Sequence, residues 1–322
     1  MIKIKKIQLS TLQPLIALLL MVIAMAILSG NFATKDNLFN VARQISVNLC
    51  ISVGMTLVIL TGGIDLSVGS ILAFSGAIAA GLIKNGIAWE GANLFIGFTL
   101  FGGILAALIM GSILGWINGW VITKFKVPPF VATLAMLTMA RGLTMLYTNG
   151  FPITQLGDNF AFIGSGWFIG VPMPVWISIV VIVIAAVFVR KTRTGRYIYA
   201  IGGNERAALL SGINVKRVKI VVYVLAGFLS ALGGLLVTAR LDSAQPNAGM
   251  GYELDSIAAV VIGGTSLNGG KGSIIGTVIG ALIIGVLNNG LVLLNVSPFW
   301  QQVIKGLVIL LAVVIDRMQR KE

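Results

Sequence analysis

Residues 91–123, GANLFIGFTLFGGILAALIMGSILGWINGWVIT, contain no Asp, Glu, Lys or Arg. A helix needs roughly 20 apolar residues to cross the hydrocarbon core of a bilayer. Within lipid each backbone N–H and C=O must find its partner inside the segment, which a helix provides. This stretch therefore reads as a membrane-spanning helix. Uncharged runs at 7–34, 44–64, 66–83, 159–189, 220–239 and 272–304 repeat the pattern, with shorter ones at 127–140, 142–157, 256–270 and 306–315. One helix per apolar run places ten segments near 12–30, 45–62, 66–83, 94–122, 130–148, 171–189, 220–239, 255–268, 274–294 and 299–315. The eighth is short and broken by glycine, so it reads as a half-helix. The expected fold is all-α, a polytopic membrane protein of about ten transmembrane helices.

The composition excludes the alternatives. Of 322 residues, 57% are hydrophobic and only 10% charged, with a mean hydropathy of +0.99. A soluble domain carries about 25% charged residues, so neither a soluble globule nor a disordered chain fits. The net charge of +13 would suit nucleic acid in a soluble protein, but a membrane protein concentrates Lys and Arg in its cytoplasmic loops. No nucleic-acid partner is expected. Cys50 is the single cysteine and histidine is absent. That removes Ser–His and Cys–His nucleophile pairs, His-ligated metals and most proton shuttles. Neither an enzyme nor a cofactor site is expected.

Orientation follows from the basic residues. With the N-terminus inside, the cytoplasmic side collects Lys3, Lys5 and Lys6, then Lys124 and Lys126, and eight residues of 190–219. Lys271, Arg317, Arg320 and Lys321 bring it to seventeen, against Lys35, Arg43, Lys84 and Arg240 outside; Arg141 and Lys305 fall within helices. An even number of spans puts both termini in the cytoplasm. The Lys-rich start and first apolar run resemble a signal peptide, but nine further segments argue for a retained helix. Small residues recur every fourth position, at Gly103, Ala107, Gly111, Gly115 and Gly119, at Gly69, Ala73, Ala77 and Gly81, and at Ala226, Ser230, Gly234 and Thr238. Such stripes let helix backbones approach closely in lipid.

Three features stand apart from the spans. The first is RKTRTGRYIYAIGGNERAALLSGINVKRVK, residues 190–219, the one long cytoplasmic connection. Asn204 reads as an N-cap before Glu205, Arg206, Ala207, Ala208, Leu209 and Leu210, and Gly212 stands where a helix C-terminus favours it. The result is a short capped helix outside the bilayer. It is either a docking element for a cytoplasmic partner or a surface helix held by membrane lipid.

The second feature is a pair of glycine-rich interruptions, TGGIDLSVGS at 61–70 and IGGTSLNGGKGS at 262–273. Each runs from Gly-Gly to Gly-Ser and then into an apolar run, as broken helices do near the substrate path of transporters. Asp65, Gly263 and Gly264 are therefore candidate pathway or gating residues, although Asp65 also suits an N-cap of the third helix. Lys271 does not complete a phosphate loop, since Thr265 stands at its first glycine position and Gly272 follows the lysine. The third feature is Arg141 inside the fifth segment, where a charge costs at least ~2.5 kcal/mol near the bilayer centre unless it is paired or reaches water. It is a further pathway candidate.

Together these stretches resemble the membrane permease subunits of ATP-binding-cassette sugar importers, the branch that takes up monosaccharides such as ribose. The resemblance is carried by NLFNVARQISVN (37–48), GMTLVILTGGIDLSVGS (54–70) and RGLTMLYTNG (141–150). TRTGRYIYAIGGNERAALLSGINV (192–215) and ARLDSAQPNAGMGYELDSIAAVVIGGTSLNGGKGS (239–273) complete it. It implies a single permease domain over 1–322, two copies of which form the channel. It also implies a cytoplasmic ATPase and a periplasmic sugar-binding protein, in a bacterial inner membrane. By the same likeness Gly202, Gly203, Asn204, Glu205, Ala207, Ala208, Gly212 and Ile213 form the coupling helix that meets the ATPase. Composition and topology alone equally allow a ten-helix ion- or proton-coupled transporter. Such a machine needs an ionisable group within the membrane, for which Asp65 is the acid on offer. A purely anchoring protein would not need ten spans.

Overall fold

A computed structural model describes residues 9–89 and 94–318. Lys3, Lys5, Lys6, Arg320 and Lys321, counted in the charge asymmetry, lie outside the described residues. Helices overlap the expected segments but do not fill them, since residues 94–96 of the fourth are a β-strand and 263–268 of the eighth lie outside its helix. The helices α1 (Leu9–Leu28), α2 (Lys35–Leu60), α3 (Val68–Asn85), α4 (Leu100–Phe125) and α5 (Pro129–Thr148) come first. After the short α6 (Asp158–Ser165) and α7 (Met173–Lys191), α8 (Arg193–Gly203) and α9 (Glu205–Leu210) occupy the long connection. Then follow α10 (Val215–Leu241), α11 (Tyr252–Ile262), α12 (Ile274–Leu293) and α13 (Pro298–Met318). Seven of these, α2, α3, α4, α5, α7, α10 and α12, are long and apolar enough to cross a membrane. The apolar stretches in α1 and α13 are shorter, and α11 is short, with 11 residues, ending before Gly263 and Gly264.

Among the described residues, three small antiparallel ribbons depart from an all-helical fold. They pair Ile87–Trp89 with Leu94–Ile96, Ile153–Thr154 with Ser243–Ala244, and Trp167–Phe168 with Val171–Pro172. All lie in connections, where chain leaving a helix must find other partners for its N–H and C=O groups.

The helix α10 is the centre of the bundle, packed between α3 and α4 and against α2. The small-residue stripes make this approach possible. Gly111 lies against the carbonyl of Gly227 and the side chain of Ala231, Gly115 against the carbonyl of Tyr223, and Gly119 over the Cα of Ile220. On the other flank, Gly234 meets the carbonyl of Leu72. A Cβ at any of these glycines would push into a neighbouring backbone, which is the packing that small residues permit in lipid.

The connections sort to two ends of the bundle. At one end the 61–67 turn, the 126–128 link, α8, α9 and the 263–273 loop meet. At the other, Gln155 N–H donates to the Asp242 carbonyl and Lys84 Nζ to the Thr154 carbonyl, which ties α3, the 149–157 segment and the end of α10 together.

Candidate functional site

The long connection is more ordered than a loop, with one helix where one was expected and another that was not. Asn204 is extended, at φ −160° and ψ 102°, and its Oδ1 accepts the Ala207 N–H at 2.9 Å, so it caps α9 as its sequence position indicated. Gly212, at φ +82°, turns the chain out of α9. Its N–H donates to the Leu209 carbonyl and that of Ile213 to the Ala208 carbonyl, which satisfies two of the last carbonyls of the helix. The additional helix is α8, whose Thr192 Oγ1 accepts the Gly195 N–H at 3.0 Å. Its Gly195, Ile198 and Ile201 are buried while Arg193 and Arg196 are exposed. The signals were Thr192 three residues before Gly195, and two isoleucines three apart.

One expectation about α9 needs correction. Ala207 and Ala208 both suited a partner's groove, but only Ala207 is exposed. Ala208 is 5% exposed and packs into a core cluster with Ile198, Val215 and Val218. A helix held against α10 must turn one side inward, and Ala208 is on that side. The free surface is Ala207 with Leu209 and Leu210, the last 82% exposed. Glu205 pairs with Lys219 of α10 at 2.7 Å, a second tie between the two helices.

Gly202 fastens this unit to both glycine-rich interruptions. It sits against the Leu60 carbonyl, at the end of α2, and the Gly270 N–H, and a Cβ there would clash with both backbones. The Gly270 N–H itself donates to the Leu60 carbonyl at 3.0 Å. Tyr199 Oη of α8 donates to the Gly272 carbonyl at 2.9 Å. Gly269 and Gly270 have positive φ, +85° and +72°, and press on Gly202 and Gly203. The two motifs, some two hundred residues apart in sequence, therefore meet under α8. A cleft of about 340 Å³ opens between them, lined by Gly62, Gly63, Asn204, Glu205, Tyr223 and Asn268 among others.

Of the pathway candidates, Gly263 and Gly264 end α11. Gly263 is pressed against the Gly276 carbonyl of α12, and Gly264, at φ +84°, starts the turn. Asp65 is fully buried and is not the cap of α3, whose N-cap residue is Ser67. Asp65 Oδ1 instead accepts both the N–H and the hydroxyl of Ser67, a local turn two residues upstream. Asn118 donates to the Ser67 hydroxyl and Thr133 to the Ile64 carbonyl, so the 64–67 turn is held by α4 and α5. Arg141 lies towards the opposite end. Its Nη1 donates to the carbonyls of Pro246 at 2.6 Å and Ala248 at 2.9 Å, which supplies partners that sequence did not indicate.

Asp65 is not the sole buried acid beside the helices. Asp255 of α11 is 5% exposed, and its Oδ2 accepts from Lys305 of α13 at 3.1 Å and Asn288 of α12 at 3.3 Å. Three helices meet at this carboxylate. Fifty residues separate the ionic partners, so no local spacing announced the pair. Lys305 inside an apolar segment was the available signal.

A sequence profile described as "Branched-chain amino acid transport system / permease component" matches residues 37–313. The chain belongs to this permease family. It is 52% identical to a ribose import permease protein of Escherichia coli K12, over 95% of this chain and 93% of that one. A ribose import permease protein of Bacillus subtilis is 54% identical over 95% and 92%. An L-arabinose transport system permease protein of E. coli K12 is 38% identical over 95% and 90%. With seven helices among the described residues fit to cross a membrane, this family member is a multi-pass membrane protein.

Proposed function

We propose that this permease is the membrane subunit of an ATP-driven monosaccharide importer of the bacterial inner membrane, and that its sugar is ribose. The observation that carries the sugar is graded similarity along nearly the whole chain: 52–54% identity to ribose import permeases against 38% to an arabinose permease. In this reading the whole chain is one permease domain with ten spans, α11 being a partial one, and both termini are cytoplasmic. Two copies enclose the path. A periplasmic sugar-binding protein delivers ribose at the end where residues 242–251 lie, and a separate ATPase docks at the end where α9 lies.

The geometry at the α9 end supports a coupling role. A displacement of α9 is carried through the Glu205–Lys219 pair and buried Ala208 to α10, and through Gly202 to the ends of α2 and α11–α12. Close-packed contacts of this kind transmit strain rather than absorb it. A push on one short helix thereby reaches both glycine-rich interruptions, with Gly263 and Gly264 inside the second of them.

The test is ribose uptake into proteoliposomes holding the permease with its ATPase, with binding protein supplied outside. Uptake should require ATP and both partners, and should exceed that of arabinose. Accumulation driven by a proton gradient without ATPase would instead make this an ion-coupled transporter, with Asp65 the acid on offer and Asp255 a second buried one.

A further inference from the structure

Beside α9 lies a second, larger cleft, of about 580 Å³, between the α4–α5 link and the start of α10. Ile122, Val127, Pro129 and Leu209 give it apolar walls, and Lys126, Arg206, Lys216 and Lys219 line it as well. Glu205 is the one carboxylate in that lining, and Lys219 already neutralises it at 2.7 Å. Lys126, Arg206 and Lys216 are exposed and, among the described residues, have neither a carboxylate nor any other acceptor within reach. Three unpartnered cations round an apolar-walled hollow call for an anion that also brings apolar surface.

The level of the cleft relative to the bilayer is marked by the last turns of α4. Trp116 stacks on Trp120 at 6.1 Å between centroids, and Lys124 Nζ lies 4.8 Å from the Trp120 ring and 5.6 Å from that of Phe125. Trp with Lys at a helix end is the arrangement found where hydrocarbon gives way to headgroups. Thr123 and Lys126, in this same part of the chain, line the cleft.

We propose that this cleft binds the phosphate headgroup of an anionic phospholipid from the surrounding leaflet. Lys126, Arg206 and Lys216 supply charge-assisted hydrogen bonds to the phosphate, and the apolar walls accept the start of the acyl chains. Basic pockets between helices at the cytoplasmic surface suit such headgroups. Arg206 and Leu209 face the lipid, whereas Ala207 and Leu210 are absent from the lining. The helix α9 thus keeps a separate face for a protein partner, and the lipid ties it to the membrane surface.

The experiment uses the full-length permease purified in detergent, with native mass spectrometry of bound phosphatidylglycerol or phosphatidylcholine carrying the same acyl chains. Wild type should favour phosphatidylglycerol. The triple variant Lys126→Gln, Arg206→Gln, Lys216→Gln should lose that preference by about tenfold or more, given what each basic residue contributes at an anionic surface. A control triple outside the cleft, Lys191→Gln, Arg193→Gln, Arg196→Gln, removes the same charge and should keep it. Lys216→Gln alone, at an exposed position, should lower the preference in the same direction and serves if the triple variant misfolds. Equal loss in the control triple would mean a diffuse basic surface and overturn the site. So would an unchanged preference in the cleft variants, or complete displacement of the bound phosphatidylglycerol by an equal concentration of inorganic phosphate. Undiminished lipid binding with loss of ATPase co-purification in the cleft triple would assign these residues to the protein interface instead.

Discussion

Gly202 and Gly203 are adjacent, both glycine, and predicted to respond oppositely to the same substitution. A Cβ on Gly203 meets nothing within 4 Å, and its φ is not in the left-handed region. A Cβ on Gly202 falls on the Leu60 carbonyl oxygen and the Gly270 N–H. To restore a tolerable distance, α8 must retreat from the end of α2 by about 1 Å, an overpacking that costs roughly 1–3 kcal/mol. The same retreat strains the 3.0 Å bond from Gly270 N–H to the Leu60 carbonyl, worth roughly 1 kcal/mol net. Gly202→Ala should therefore loosen the α8–α9 unit by roughly 2–4 kcal/mol. Gly203→Ala should be neutral or slightly stabilising, since Ala is the better helix former. Hydrogen exchange on the reconstituted permease reads this out. Amides of 198–213 should exchange some 30- to 1000-fold faster in Gly202→Ala, that free energy expressed as an opening equilibrium, and at the wild-type rate in Gly203→Ala. Uptake should fall only in the first. Equal exchange in the two variants, or an unaffected Gly202→Ala, would refute the tight junction under α8.

Asn204→Ala removes the acceptor of the Ala207 N–H and should cost about 1 kcal/mol of local helix stability, seen as faster exchange confined to 205–210. Ala208→Glu buries an unpaired charge beside Val215 and Val218 and should lower the melting temperature of the permease itself, whereas Ala207→Glu should leave that temperature unchanged and abolish co-purification with the ATPase. Asp255→Ala strands Lys305, whose side chain is 29% exposed; the loss should approach the lower part of the ~3–5 kcal/mol range for broken buried pairs, and Lys305→Met in the same chain should recover much of it in thermal unfolding. In a Cys50→Ala background, a cysteine at Ser211 should resist an impermeant thiol reagent added to intact cells; labelling from outside would reverse the orientation.

What could be read from sequence was local. Seven spans were legible because an apolar run needs no partner to be recognised. The run 91–123, however, becomes helix only from Leu100, its residues 94–96 pairing as a strand with Ile87–Trp89. The α9 caps were legible because Asn204 and Gly212 act within four residues of themselves. The small-residue stripe on α4 also announced close packing, although not that α10 would fill it. Long-range facts were hidden. Nothing in the string distinguishes Gly202 from Gly203, since the difference lies in the position of Leu60 and Gly270. Ala208 is buried because α10 passes behind it, and Asp255 finds Lys305 fifty residues away. At Asp65 the sequence also suits a helix cap, but Ser67 occupies that position and the Asp65 carboxylate accepts from Ser67 instead. The two glycine-rich interruptions were recognised as a pair, yet their meeting beneath α8 depends on the whole bundle.

The coupling role of α9 is tested most directly by cross-linking. In the Cys50→Ala permease, a single cysteine at exposed Ala207 should form a bond with the ATPase through a short thiol–amine cross-linker in membranes containing both subunits. The yield should change when ATP is added and trapped by vanadate, because the helix would move with its partner. A cysteine at Leu146, exposed near the end of α5 opposite α9, should give no such product. A cross-link to the ATPase from Leu146 but none from Ala207, under any nucleotide condition, would contradict the assignment of α9 as the element that receives the stroke.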